Sequence, residues 1–349
     1  MIRTAIQKLN AHEDLTRAEA RAVMEVLLSG SVPDSDIVTF LSALRDKREQ
    51  PSELIGFAEV MRERAGNLLR RSGVNREELI RGEPLLDTCG TGGDEAGTFN
   101  VSTATALVAA AAGARVAKHG NRSISSRCGS ADVLEELGVA LDLPFARIPE
   151  CLDRTGMVFL FAPHLHLAMK HVMNARRSLK TKTVFNLLGP LSNPLGASAQ
   201  LIGVYDRACT EMMARASVEV GTHRAFAVAG HDGLDEITLS GLTQLSETGN
   251  GEVRTRDIGP DEFGLQAAGQ GSVRGGDAAT NARLLRSVLA GEHGPYRDSV
   301  LVNTSAALVA AGKARGFVEG VAVAAEAIDS GRARHTLAAL AEFTQKHRR

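Results

Sequence analysis

The sequence predicts an α/β protein in two parts: a small N-terminal helical domain, then a large α/β domain with a central sheet flanked by helices. Three observations predict this. Apolar side chains recur only at helical spacing up to the polar stretch Arg70 to Pro84. Beyond it, short apolar runs alternate with Ala-rich helical segments. Glycines punctuate the joins, and a length of 349 residues suits two domains at roughly 150 residues each.

Thr16 and Glu19 have the spacing of a capping box and open a helix that ends near Gly30. A second helix places Ile37, Phe40, Leu41 and Leu44 on one face. A third starts beside Pro51 and aligns Leu54, Phe57, Ala58 and Met61. These helices leave apolar surface to bury, so the small domain is set at residues 1–74 and the large one at 75–349. The strands are expected at Leu85–Leu86, Val116–Ala117, Met157–Phe161, Gln200–Val204 and Ala225–Ala229. Gly249 to Asp277 reads as loop with room for a short strand, and Val300 to His347 returns to helix.

Lys plus Arg (40) and Asp plus Glu (41) nearly balance, so no global field favours nucleic acid or an anionic membrane. Cys89, Cys128, Cys151 and Cys209 lie scattered, with no CxxC pair, which fits a reducing compartment. The N-terminus has no apolar signal core, and the small-apolar run from Ala104 to Ala114 is too short to span a bilayer. A cytoplasmic chain is expected, with no membrane and no nucleic-acid partner.

Two loops carry the chemistry. Asp87 to Asp94 (DTCGTGGD) follows an apolar run and precedes a helix expected near Ser102. Its glycines let successive N–H groups face one concavity, and the helix N-terminus with the Ser102 and Thr103 hydroxyls adds donors. The loop fits a diphosphate, although it is neither a Walker A nor a GxGxxG pattern. Asp94 beside phosphate suits a ribose hydroxyl or a metal with its hydration shell. The second loop, Lys118 to Ser126 (KHGNRSISS), offers Lys118, Arg122 and three serines around Gly120. Two anion-adapted loops at two strand ends point to a phosphate site. Asp235–Glu236, after the turn Asp232–Gly233–Leu234, is either an acidic surface turn or a pair of oxygen ligands for Mg²⁺. Arg176–Arg177, on a helix expected from near Leu165, could grip a carboxylate or simply face solvent.

The stretch DTCGTGGD…TFNVSTATA…KHGNRSISSRCGSADVLEELG closely resembles the anthranilate phosphoribosyltransferase family, as do FNLLGPLSNP (Phe185 to Pro194) and GHDGLDEI (Gly230 to Ile237). Weaker similarity runs through the N-terminal helices and NARLLRSVLAGEHGPYRDSVLVNTSAAL, so the resemblance covers nearly the whole chain. It implies that the helical domain packs on the α/β domain with the active site at the hinge. Helices near 165–182 would join the small domain, which would pair two copies as a homodimer. The implied activity is transfer of a phosphoribosyl group from phosphoribosyl pyrophosphate (PRPP) to the amino group of anthranilate, with Mg²⁺ as cofactor, in tryptophan synthesis.

The resemblance places PRPP against Gly90, Gly93, Asp94, Thr98, Asn100, Val101, Ser102 and Thr103. It adds Lys118, His119, Gly120, Asn121, Arg122, Ser123, Ile124, Ser125, Ser126 and Ser130. The implied metal positions are Ser102, Asp235 and Glu236, and Gly90, Asn121 and Arg176 would meet anthranilate. Lys118, Asn121 and Arg176 are the residues expected to carry the reaction, with His166 packing near the aromatic substrate. The chain departs from the family pattern at Arg48, Glu95, Leu167, Lys180 and Lys182, where the family often has Gly at positions 48, 95 and 180, Pro at 167 and Arg at 182. A pyrimidine nucleoside phosphorylase shares the fold but would need its own lysine-serine phosphate signature. A nucleic-acid-binding relative without catalysis would show degraded loops and a basic surface.

Overall fold

The capping box at Thr16 and Glu19 forms in the computed structural model. Thr16 Oγ1 accepts from Glu19 N, and the Glu19 carboxylate accepts from Thr16 N. The structure describes residues 1–94, 96–123, 127–249 and 251–348. Helices α1 (Ile2–Asn10), α2 (Arg17–Leu27), α3 (Asp34–Lys47) and α4 (Pro51–Arg71) make the N-terminal bundle, and α5 (Arg76–Ile80) lies in the polar stretch that follows. Proline stands at the start of α4, where its missing N–H costs no hydrogen bond.

The large domain begins with β1 (Leu85–Asp87), α6 (Val101–Ala111), β2 (Arg115–Gly120), α7 (Ser130–Glu136), α8 (Ile148–Thr155) and β3 (Met157–Phe161). Next come α9 (Ala162–Leu165), a 3-10 turn (Leu167–His171), α10 (Met173–Leu179) and α11 (Val184–Leu191). The helix expected from Leu165 onward is therefore broken. His166 leaves helical geometry (φ −106°, ψ 57°), and its ring packs edge-on against His119. β4 (Ala199–Gly203), α12 (Thr210–Glu219) and β5 (Arg224–Gly230) continue the alternation.

A hairpin follows, with β7 in the interval read as loop with room for a short strand and β6 ahead of it: β6 (Thr243–Gly249) and β7 (Glu252–Ile258) pair antiparallel over seven residues each. Their polar composition hid them, because β7 is an edge strand exposed over most of its length. Four helices close the chain: α13 (Ala278–Leu289), α14 (Pro295–Ala310), α15 (Phe317–Asp329) and α16 (Arg332–His347).

The seven-stranded sheet runs β3-β2-β1-β4-β5-β6-β7, parallel from β3 to β5 and antiparallel thereafter. Alternation along its strands feeds two cores. Leu201, Phe226 and Val228 face a core completed by α6, α14 and α16. Ile202, Ala225 and Ala227 face the other, which contains Phe40 and Phe57 of the bundle, Val172 and Ala175 near α10, and Leu187 and Leu188 of α11. One face of the sheet thus buries the apolar surface that the N-terminal helices leave open. Arg48 and Lys180, two of the departures from the family pattern, hold φ values of 71° and 50° in the left-handed region that favours glycine.

Candidate functional site

β1 lies between β2 and β4, so the chain leaves β1 in one direction and returns to its other side later. That is a switch point, where parallel sheets open a crevice at the strand carboxyl ends. A cavity of about 310 Å³ occupies this place. The loops after β1, β2 and β5 line it, with α10 and α11 closing one side.

Gly92 and Gly93 take φ values of 62° and 82°, which bend the loop after β1 back toward the sheet. Gly92 N then donates to Asp235 Oδ2 at 2.9 Å, and Thr91 N donates to Gly203 O at 2.8 Å. The acidic turn crosses the end of β4 so closely that a Cβ on Gly203 would lie 1.7 Å from the Asp235 carbonyl oxygen. Burial, followed by the nearby Asp94 charge, pushes the Asp235 carboxyl up to about 7. Burial and then Asp235 raise Glu236 well above the usual range. Asp94 Oδ2 is buried without a donor. Three carboxylates meet in one half-buried corner.

Lys118, on β2, is almost wholly buried, and its ammonium donates to Thr88 O at 3.0 Å and Ser102 Oγ at 3.3 Å. Beneath it, Asp87 accepts from His119 N (3.1 Å) and Asn193 Nδ2 (2.8 Å), and Asn193 also donates to Ala117 O (2.9 Å). Burial pushes Asp87 up to about 6 against the pull of Lys118. FNLLGPLSNP is thereby tied to both loops from behind the cavity.

On the opposite wall Arg176 stacks over the Phe185 ring at 5.0 Å, and among the described residues it has no ion-pair partner. Burial lowers its guanidinium to about 10. A partly buried cation facing a cavity beside an aromatic ring suits a planar carboxylate.

The comparisons follow the same lines. The glycosyl transferase family, a/b domain, matches residues 82–334, and the glycosyl transferase family, helical bundle domain, matches residues 3–65. An anthranilate phosphoribosyltransferase of Pelotomaculum thermopropionicum is 48% identical over 344 residues, covering 99% of this chain and 97% of its own. The chain belongs to the anthranilate phosphoribosyltransferase family. It is an enzyme, a glycosyltransferase. The crystal structure of the Thermus thermophilus anthranilate phosphoribosyltransferase matches with a TM-score of 0.87 and 40% identity, over 98% of this chain and 99% of that one. The Saccharomyces cerevisiae anthranilate phosphoribosyltransferase, in complex with PRPP and Mg, matches with a TM-score of 0.85 and 27% identity, over 99% and 98%.

Against the residues singled out from this family's motifs, the cavity gathers Gly90, Gly93, Asp94, Thr98, Asn100, Val101, Ser102, Lys118, His119, Gly120, Asn121, Arg122, Ser123, Ser130, Arg176, Asp235 and Glu236. Thr103 stands apart: its side chain is buried in α6 away from the cavity, and its hydroxyl has no partner. Glu95, Ile124, Ser125 and Ser126 lie outside the described residues. Arg122, expected to supply charge, is paired with Asp132 (3.0 Å) and Glu135 (2.5 Å). His166 packs on His119 with ring centroids 5.1 Å apart and lines a neighbouring cavity instead.

Phe185, Asn186, Gly129 and Asp132 were missed. Phe185 and Asn186 stand in a quoted motif, yet only the fold brings α11 to the cavity. Asp132 organises the second loop by accepting from Ser123 N and Gly129 N. The S-A-D spacing after Gly129 was its one signal. Lys182 stretches along Gly93, where a Cβ would come within 3.2 Å of its Cε, and its ammonium lies 4.4 Å from the Tyr205 ring centroid.

Proposed function

We propose that this cavity binds PRPP and anthranilate and joins them, giving N-(5-phosphoribosyl)anthranilate and pyrophosphate. The observation that carries the reading is one cavity with two chemistries. A half-buried acidic turn and a ring of N–H, hydroxyl and ammonium donors face one side, and Arg176, without an ion-pair partner among the described residues, stands over an aromatic ring on the other. The yeast relative was solved with PRPP and Mg, and also with 4-fluoroanthranilate, which supports both halves.

The residues fit Mg²⁺. Asp235 and Glu236 are half-buried, raised and mutually repelling, and among the described residues Asp94 Oδ2 has no donor, so a hard cation would relieve all three. Mg²⁺ takes oxygen ligands and commonly shares them with substrate phosphates and water. Asp235, Glu236 and Ser102 would hold it. When bound, Mg²⁺ neutralises charge that grows on the leaving diphosphate.

The chain's own groups do the rest. Lys118, the N–H groups of the glycine loop and the first turn of α6 stabilise that same charge. Arg176 anchors the anthranilate carboxylate and Asn121 stands at the opposite lip, so the aryl amine is held toward the ribose carbon. That amine is neutral at pH 7, so no strong base is needed to make it nucleophilic. Closure of the two cores about the α10–α11 segment would exclude water from PRPP. The same reading gives a cytoplasmic homodimer paired through the helical domain, with the domain boundary near residue 74.

The test is direct. Protein mixed with Mg-PRPP should consume anthranilate fluorescence in a time-dependent way, and chelation should stop the loss. Phosphorolysis of thymidine, or DNA retention without turnover, would reject the proposal.

A further inference from the structure

α14 carries a buried amide that the reaction scheme does not use. Asn303 is fully enclosed in the core, on the sheet face away from the N-terminal bundle. Its Oδ1 accepts from Ile237 N at 3.0 Å, and its Nδ2 donates to Ile237 O at 3.1 Å and to Ser299 O at 2.9 Å. Both amide hydrogens are therefore used. The bond to Ser299, one helical turn back, fixes the rotamer. The two bonds to Ile237 mimic a strand partner for a residue that has none in the sheet.

Ile237 directly follows Asp235–Glu236. On the other side of the pair, Gly230 N donates to Leu234 O at 2.8 Å, and Asp232 accepts from Leu234 N at 3.3 Å. Upstream the turn is held by its own residues; downstream the Thr238 and Ser240 hydroxyls return to Asp232, and Ile237 itself is held by the distant Asn303 side chain. Between the two anchors the Asp235 backbone lies against Gly203, where a Cβ would come within 1.7 Å of the Asp235 carbonyl oxygen.

We infer that Asn303 is a positioning residue of the cation site, pinning the backbone after Glu236 so that both carboxylates meet the cavity in fixed register. The inference rests on the proposed Mg-PRPP reading. It gives the VNTSA segment of the sequence a role: α14 supports the acidic turn from behind without touching substrate. Removing the amide frees Ile237 N–H and C=O in the core, and the turn relaxes where the cation would be held.

The experiment compares wild type, Asn303→Ala and Leu308→Ala. Leu308 lies on the same helix, buried in the core, and serves as a control for stability alone. Mn²⁺ binding is read by the loss of the free-ion resonance signal with and without PRPP, beside Mg²⁺ titrations of turnover and the anthranilate KM. Asn303→Ala should raise the Mn²⁺·PRPP dissociation constant and the half-saturating Mg²⁺ by about tenfold or more, with the anthranilate KM within about twofold of wild type. Leu308→Ala should lower Tm and leave the cation dependence unchanged. Wild-type cation dependence in Asn303→Ala overturns the positioning role, as does an equal shift in both variants. Should Asn303→Ala not fold, Asn303→Asp, which keeps the acceptor for Ile237 N, is read against the same two criteria. A wild-type chain that binds Mn²⁺ no better with PRPP overturns the underlying reading instead.

Discussion

The two walls of the cavity are built differently. The diphosphate wall consists of strand ends and of loops tied to them: Thr91 to Gly203, Gly92 to Asp235, Lys118 to Thr88, and Asp87 to His119 and Asn193. The acceptor wall consists of short helices, α10 and α11, whose apolar residues belong to the core shared with the N-terminal bundle. Hydrogen bonds at the ends of one sheet tie the first wall together, and the second takes its packing from the core it shares with the bundle. Charge stabilisation needs fixed donors, whereas acceptor capture and water exclusion need a wall that can close.

The largest effect should come from the diphosphate wall. Asp235→Asn with Glu236→Gln should abolish Mg²⁺-dependent turnover, while anthranilate quenching by the other wall persists in equilibrium titrations. Turnover with wild-type Mg²⁺ dependence would show that the acidic turn is not the cation site.

Arg176→Ala should have a smaller and more selective effect. Losing a charge-assisted contact of about 1.5–3 kcal/mol predicts an anthranilate KM raised roughly 10- to 100-fold. The KM for PRPP should stay within about twofold. A shift in both constants would mean that the walls do not act separately.

The smallest effect concerns a seam beside the cavity, where His119 of the first wall meets His166 of the neighbouring cavity. Burial lowers His119 to about 4 and His166 to about 3, the latter also through His119. The unfolded chain therefore binds more protons than the folded one from about pH 6.5 downward, and stability falls as pH falls through that window. Each ring contributes up to about 1.4 kcal/mol per pH unit there. His166→Phe should flatten the decline of Tm between pH 6.5 and 5 relative to wild type. An unchanged slope would show that the seam is not what acid attacks.

Much of the diphosphate wall was readable along the chain. GTGGD and KHGNR each bring adjacent residues to the cavity, because consecutive backbone groups at a strand end can face one concavity. The acceptor wall was not. Arg176 looked like one of two helical arginines, and nothing local separates it from Arg177, which is exposed. Thr103 shows the opposite case: it is adjacent to Ser102, yet a helix turns successive side chains about 100° apart, which sends the Thr103 side chain into the core. The β6–β7 hairpin escaped because an edge strand open to solvent carries no apolar alternation.

By itself the sequence determined the element types, the two anion-adapted loops and, through resemblance, the family. Periodicity, glycine placement and contiguous ligands are local properties, so they survive in one dimension. Tertiary structure alone decided which carboxylates share a corner, which of the two adjacent arginines faces the cavity, and that an asparagine on α14 holds the acidic turn. Those facts depend on burial and on contacts between residues far apart in the chain, such as Asn303 with Ile237 and Gly92 with Asp235. No local spacing encodes them, because the free energy of a buried polar group is set by the neighbours that folding brings to it.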